Sequence, residues 1–182
     1  EEQSRRVAVH EAGHALVRHV AGASKPVLVT IVPSPRALGR TFFEENKKRV
    51  LFREDMLAMA ASALGGRAAE EAAFGAPSDG AIGDLVMAEQ ILFAALQAGL
   101  SETNSDQALD EFIRSGASHG HAHRMSDLAR KEVAEMLAES WEIAKAAIQN
   151  HRAALDAITD ALVQDRMVHG TKLSTLLPKI EQ

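Results

Sequence analysis

Val7-Ala8-Val9-His10-Glu11-Ala12-Gly13-His14-Ala15-Leu16 is the stretch on which the reading of this chain turns. It lies within residues 4–21, where Val7, Leu16 and Val20 sit among alanines and Gly22 supplies a stop, a pattern that predicts a helix. On a helix, His10 and His14 share one face, with Cβ atoms ~5–6 Å apart. Two imidazoles so placed converge on one Zn2+ at ~2.0–2.1 Å. Glu11 lies beside the first of them, where a carboxylate reaches a metal-bound water without binding the metal. Ala12, Gly13 and Ala15 leave room for close packing around the helix. The expectation is a zinc-dependent peptidase with His10 and His14 as ligands and Glu11 as the catalytic carboxylate.

A catalytic zinc takes three protein ligands and keeps one position open. A third histidine continuing the same motif is excluded, because Val17 and Val20 occupy the positions that a Gly and a His would need. Downstream carboxylates remain: Glu70 and Glu71 on a second helix, and Asp84 in the first turn of a third. Spacing alone does not choose among them. His19 faces nearly the opposite side of its helix from His10 and reads as a surface or interface histidine.

Outward from this helix, residues 27–32 (VLVTIV) are β-branched and bounded by Pro26 and Pro33, which predicts a strand. Arg40-Thr41-Phe42-Phe43 reads as its return partner across a Pro/Gly turn, and the prolines suit a sheet edge. Helices are expected over 53–74, interrupted at Gly65-Gly66, and over 81–99. A short helical piece is expected near 106–114, a long helix after an N-cap at Ser126, and a last one over 151–165. The long helix carries a stripe of Leu137, Trp141, Ala144 and Ile148, read as core.

The whole is 182 residues, 46% hydrophobic and 25% charged, with 4% aromatics and no tyrosine, which favours helix over sheet. A net charge of −5 gives no basis for a nucleic-acid surface. With no cysteine there is no disulfide frame and no thiolate metal site. No apolar run approaches the ~20 residues that span a bilayer. The chain as given is expected to be soluble and cytoplasmic, and membrane-associated only as part of a longer protein.

Four ordered segments resemble the peptidase domain of the FtsH family, the ATP-dependent, membrane-anchored AAA metalloproteases. They are His10 to Ala15; Thr30-Ile31-Val32-Pro33 with Arg36-Ala37-Leu38-Gly39; Leu64-Gly65-Gly66-Arg67-Ala68-Ala69-Glu70-Glu71 with Phe74-Gly75; and Ser78-Asp79-Gly80-Ala81-Ile82-Gly83-Asp84-Leu85. Met125-Ser126-Asp127 and the final helices fit the family's C-terminal bundle, so the resemblance covers nearly the whole chain. It implies a mainly α, zincin-like helical peptidase domain with a small edge β-hairpin or sheet and a C-terminal helical bundle. That is a single domain over 1–182, with the zinc site in 1–100 and a helical part in 101–182.

By the same resemblance Asp84 is the third ligand beside His10 and His14, Glu11 is the general base, and Glu70 orients a ligand imidazole. One Zn2+ per chain, polypeptide substrates, a homo-hexamer and an AAA ATPase are implied with it. An extended substrate is expected to add to the strand at Thr30, Ile31 and Val32. Two positions depart from the family pattern: Asp79 stands for a threonine, and Gly83 for an asparagine beside Asp84. No Gly-x-x-x-x-Gly-Lys-[Ser/Thr] loop occurs, so the expectation is either the proteolytic part of a longer FtsH-type protease, with an ATPase there or in trans, or a stand-alone relative. A zinc-binding assembly module of the same fold, without peptidase activity, is the competing reading, and the presence of Glu11 argues against it. His119, His121 and His123 read as a solvated loop, Arg67 as support for local carboxylates, and Phe42 and Phe43 as packing or cleft residues.

Overall fold

The computed structural model describes residues 2–35, 37–45, 48, 50–101 and 127–180. The helical piece expected near 106–114, the cap at Ser126, the histidines at 119, 121 and 123, and Arg36 lie outside the described residues. Helix α1 spans Glu2–Val20, and strands β1 (Pro26–Thr30) and β2 (Arg40–Phe43) follow as the expected hairpin. Helix α2 spans Arg53–Phe74, and a short 3-10 turn, Asp79–Ala81, leads into α3, Ile82–Gln97. Helices α4 (Asp127–Asn150) and α5 (Arg152–Asp165), strand β3 (Met167–His169) and helix α6 (Gly170–Leu176) complete the order. The architecture is mainly α with one small antiparallel sheet. Among the described residues no helix is long and apolar enough to cross a membrane.

α2 runs unbroken through Gly65-Gly66, against the interruption expected there. Its end comes at Gly75, which adopts φ 79° and returns its N–H to the Glu71 carbonyl at 2.9 Å. Its start is held by Asp55, whose Oδ2 accepts the Phe52 N–H at 2.9 Å. The glycine pair serves tertiary packing. A Cβ on Gly13 would lie 2.3 Å from the Gly65 carbonyl oxygen, and one on Gly65 would lie 2.6 Å from that of Gly13. Both positions must lack a side chain for α1 and α2 to cross this closely.

The sheet order is β2-β1-β3, so β1 is its centre and not an edge. Residues from far along the chain take β1's second side: Thr30 pairs with Arg40 on one flank and Met167 on the other. Beyond the strand, the Ile31 N–H donates to the Arg166 carbonyl at 2.9 Å. Among the described residues β2 is an edge strand.

One apolar cluster joins both halves of the chain, from Ala8 and Leu16 on α1 through Leu64, Leu92 and Ile148 to Leu162 and Leu173. Side chains this fully buried contribute roughly 1.5–3 kcal/mol each. The buried stripe of α4 is Val133, Met136, Ser140, Ala144 and Ala147, with Ile148 beside it. Leu137 and Trp141 lie at its margin, half-buried, where the guanidinium of Arg67 stands 5.8 Å from the Trp141 ring. The stripe is thus turned slightly from the expected one, which leaves the indole at the surface beside Arg67 and Lys145.

Candidate metal centre

The α1–α2 crossing decides where the two histidines go. α2 presents Ser62, Gly66 and Glu70, spaced four apart on one face, to His14 and His10 of α1. His14 Nδ1 lies 2.8 Å from the Ser62 carbonyl oxygen. His10 Nδ1 lies 2.8 Å from Glu70 Oε1. Gly66 lies under the His10 ring: a Cβ there would meet ring atoms at 2.5–2.7 Å. Both Nδ1 partners are acceptors, so each Nδ1 carries the proton, and in the neutral ring each Nε2 offers a lone pair.

Those two Nε2 atoms lie 3.1 Å apart. Asp84 Oδ2 lies 3.1 Å from His10 Nε2 and 3.4 Å from His14 Nε2. Asp84 comes from the first turn of α3, which the 3-10 turn brings across the open side of the histidine pair. Atoms bound at ~2.0–2.1 Å to a tetrahedral metal stand ~3.3 Å from each other, so the triangle has the dimensions of one face of such a site. Asp84 Oδ2 is buried and accepts no aligned hydrogen bond. Three acceptors converging with an orphaned oxygen among them fit a cation.

The electrostatics agree. Burial pushes the His10 imidazole down, but Asp84, Glu70 and Glu11 together outweigh it and raise it to about 9. Burial pushes the Asp84 carboxyl up, and the adjacent His10 and His14 imidazoles hold it below the usual carboxylate range. The surroundings favour positive charge at this point.

Glu70 is 1% exposed and gathers four donors. His10 Nδ1 and the Ser78 hydroxyl reach Oε1 at 2.8 and 2.9 Å, while the Ser78 N–H and an Arg6 guanidinium nitrogen reach Oε2 at 2.7 and 3.0 Å. Against the upward push of burial, the donors Ser78, His10 and Arg6 keep the carboxyl low and ionised. The same carboxylate therefore holds α1, α2 and, through Ser78, the loop that leads into the helix of Asp84. Glu71 points away and pairs with Arg67 at 3.0 Å.

Glu11 is 8% exposed, and Thr41 Oγ1 on β2 lies 2.8 Å from its Oε2. With this geometry in view, comparison with known families is decisive: the profile of Peptidase family M41 matches residues 1–176. The chain belongs to Peptidase family M41.

Relatives of this M41 chain include the ATP-dependent zinc metalloprotease FTSH 6, chloroplastic, of Oryza sativa subsp. japonica, 32% identical over 94% of this chain and 27% of its own length. The ATP-dependent zinc metalloprotease FtsH of Syntrophus aciditrophicus is 36% identical over 87% of this chain and 23% of its own. That of Thermotoga maritima is 31% identical over 96% and 30%. The M41 chain thus spans about a quarter to a third of these relatives.

The remaining residues singled out in the sequence fall as follows. His19 Nε2 donates to the Pro178 carbonyl at 2.9 Å and ties α1 to the C-terminal segment. Phe43 packs under the Arg18 guanidinium at 4.4 Å, and Phe42 is 43% exposed. Gly83 has open space around its missing side chain, so nothing steric requires glycine beside Asp84. Thr30 lies in the central strand with neighbours on both flanks, so the free ladder expected beside Thr30, Ile31 and Val32 is not available at Thr30. Sequence reasoning missed Thr41, Ser62 and Ser78 as partners of the site residues. For Ser62 the only sequence signal is its place two helical turns before Glu70.

Proposed function

We propose that this M41 domain is a zinc-dependent endopeptidase acting on unfolded or short polypeptides. The observation that carries the reading is the triangle of His10 Nε2, His14 Nε2 and Asp84 Oδ2, with both Nδ1 protons turned outward onto Glu70 and Ser62. His10, His14 and Asp84 would hold a zinc ion, which would supply Lewis acidity to the attacking water and the scissile carbonyl. Glu11 takes the proton of the attacking water and delivers it to the leaving amine. Glu70 and the Ser62 carbonyl fix the tautomers and orientations of the two imidazoles. The relatives' names as zinc metalloproteases support the choice of metal.

Among the described residues the free strand edge beside Glu11 belongs to β2, so an extended substrate runs along Gly39 to Phe43, while Thr30 has both flanks paired. Main-chain hydrogen bonds then supply the affinity, which suits weak sequence preference. The relatives are named ATP-dependent, which supports an ATP-driven motor in the same longer protein or in trans.

Bound zinc and casein cleavage, measured for the parent and for Glu11→Gln, test the reading. The variant keeps its zinc and loses ~100-fold or more of the activity, the range expected of a general base. A zinc-loaded, assembled parent no more active than Glu11→Gln would sink the peptidase reading and favour the assembly module.

A further inference from the structure

Thr41 of β2 and Gly39, just before the strand, lie against the proposed base. Thr41 Oγ1 stands 2.8 Å from Glu11 Oε2 and 3.0 Å from Glu11's own carbonyl oxygen. Both neighbours are acceptors, so the hydroxyl's single proton is shared between them, with the shorter contact to the carboxylate. Gly39, two residues earlier, passes so close that a Cβ there would lie 2.7 Å from Glu11 Cγ and 2.9 Å from Oε1. A side chain at this point would push the strand off the carboxylate. β2 therefore touches both the main chain and the side chain of Glu11.

We infer that Thr41 is a positioning residue for Glu11, and that it couples the base to the strand on which substrate docks. The inference rests on the peptidase reading. A general base works only with an oxygen within ~2.6–3.2 Å of the proton it takes. A glutamate side chain has three rotatable bonds, and the charge-assisted bond from Thr41 removes that freedom at one oxygen. The other oxygen is left to take the proton. Because the donor sits on β2, whatever orders β2 also orders Glu11. A peptide that extends along the free edge of β2 therefore raises kcat as well as lowering KM, since remote binding energy is used to place the reacting group.

The test uses the full zinc-loaded chain with Thr41→Val, Thr41→Ser and Glu11→Gln, on one peptide that barely spans the scissile bond and one extended for several residues. Thr41→Val is expected to keep its zinc content, and its KM for the short peptide, while kcat falls about 10–100-fold, the range seen when an orienting partner is lost. Thr41→Ser restores kcat. The extra kcat that the long peptide gains in the parent disappears in Thr41→Val. Crystal structures supply a readout apart from activity: the Glu11 carboxylate leaves its place beside Gly39 in Thr41→Val and stays in Thr41→Ser. Should the valine variant fail to fold, Thr41→Ala takes its place in each comparison. Parental kcat in a zinc-replete valine or alanine variant overturns the inference, as does a serine variant no better than it, or an unmoved Glu11. A parent no more active than Glu11→Gln instead overturns the peptidase reading, and this inference with it.

Discussion

Gly13 of α1 and Gly65 of α2 meet backbone to backbone, with room for a Cβ on neither: one added at Gly13 would stand 2.3 Å from the Gly65 oxygen. The crossing brings Ser62 to His14, and Glu70 to His10. Helix packing and metal geometry are therefore one problem here. Gly13→Ala is expected to destabilise the fold by about 1–3 kcal/mol, the usual cost of overpacking, measured by urea denaturation. A loss below about 0.5 kcal/mol, within the range of ordinary surface changes, would show that the helices separate freely.

Gly66 separates the two effects. A Cβ there would meet the His10 ring at 2.5–2.7 Å, and the ring is the atom group that must shift. Gly66→Ala is expected to weaken zinc binding by more than it weakens folding. Competition with a chromophoric chelator reads the first and thermal denaturation the second; an unchanged zinc affinity would mean that the imidazole has slack.

Glu70→Ala removes the acceptor of His10 Nδ1 and strands Arg6, which also bonds the Ala76 carbonyl and lies 4.3 Å from the Phe74 ring. Zinc affinity is expected to fall about 10–100-fold, as for other partners of ligand histidines. A full-affinity variant would show that Glu70 serves packing alone.

Removing the metal is expected to lower Tm. A metal that binds the proposed triangle only when the chain is folded adds about 4 kcal/mol at 1,000 times Kd. Scanning calorimetry with and without chelator checks this, and His14→Ala should show little difference between the two scans.

Asp55 sets an acid limb that is independent of the metal. Its bond with Lys48, then that from the Phe52 N–H, hold its carboxyl below the ordinary 3.8. A carboxyl lowered by folding stabilises above its unfolded value, and the contribution fades as pH falls through the lowered folded value. Asp55→Asn should therefore be less stable than the parent at neutral pH, with the gap closing below about pH 4. Urea titrations at several pH values would expose a gap that stays constant, which would contradict the assignment.

Local periodicity was enough to place His10, Glu11 and His14, because four-residue spacing on a helix needs no tertiary information. Asp84 was not separable from Glu70 and Glu71 on that basis. What distinguishes the three is the approach of α3 and the turn of α2, which aims Glu70 inward and its neighbour out to Arg67. Gly65-Gly66 reads locally as a weak helix, yet its meaning lies in the other helix, where Gly13 and His10 fill the space. β3 has three residues, and Arg166 just before it bonds Ile31 across 135 positions. A pattern so short with a partner so distant leaves no periodic trace, and without it β1 reads as an edge.

The sheet order has a consequence for biosynthesis. A ribosome delivers His10, Glu70 and Asp84 well before Met167–His169. Until that late segment emerges, the flank of β1 that β3 covers is an open ladder of unpaired main-chain groups, the kind that templates aggregation. The helices that carry His10, Glu70 and Asp84 can thus assemble first, whereas the sheet beside Glu11 closes only after Met167–His169 have emerged.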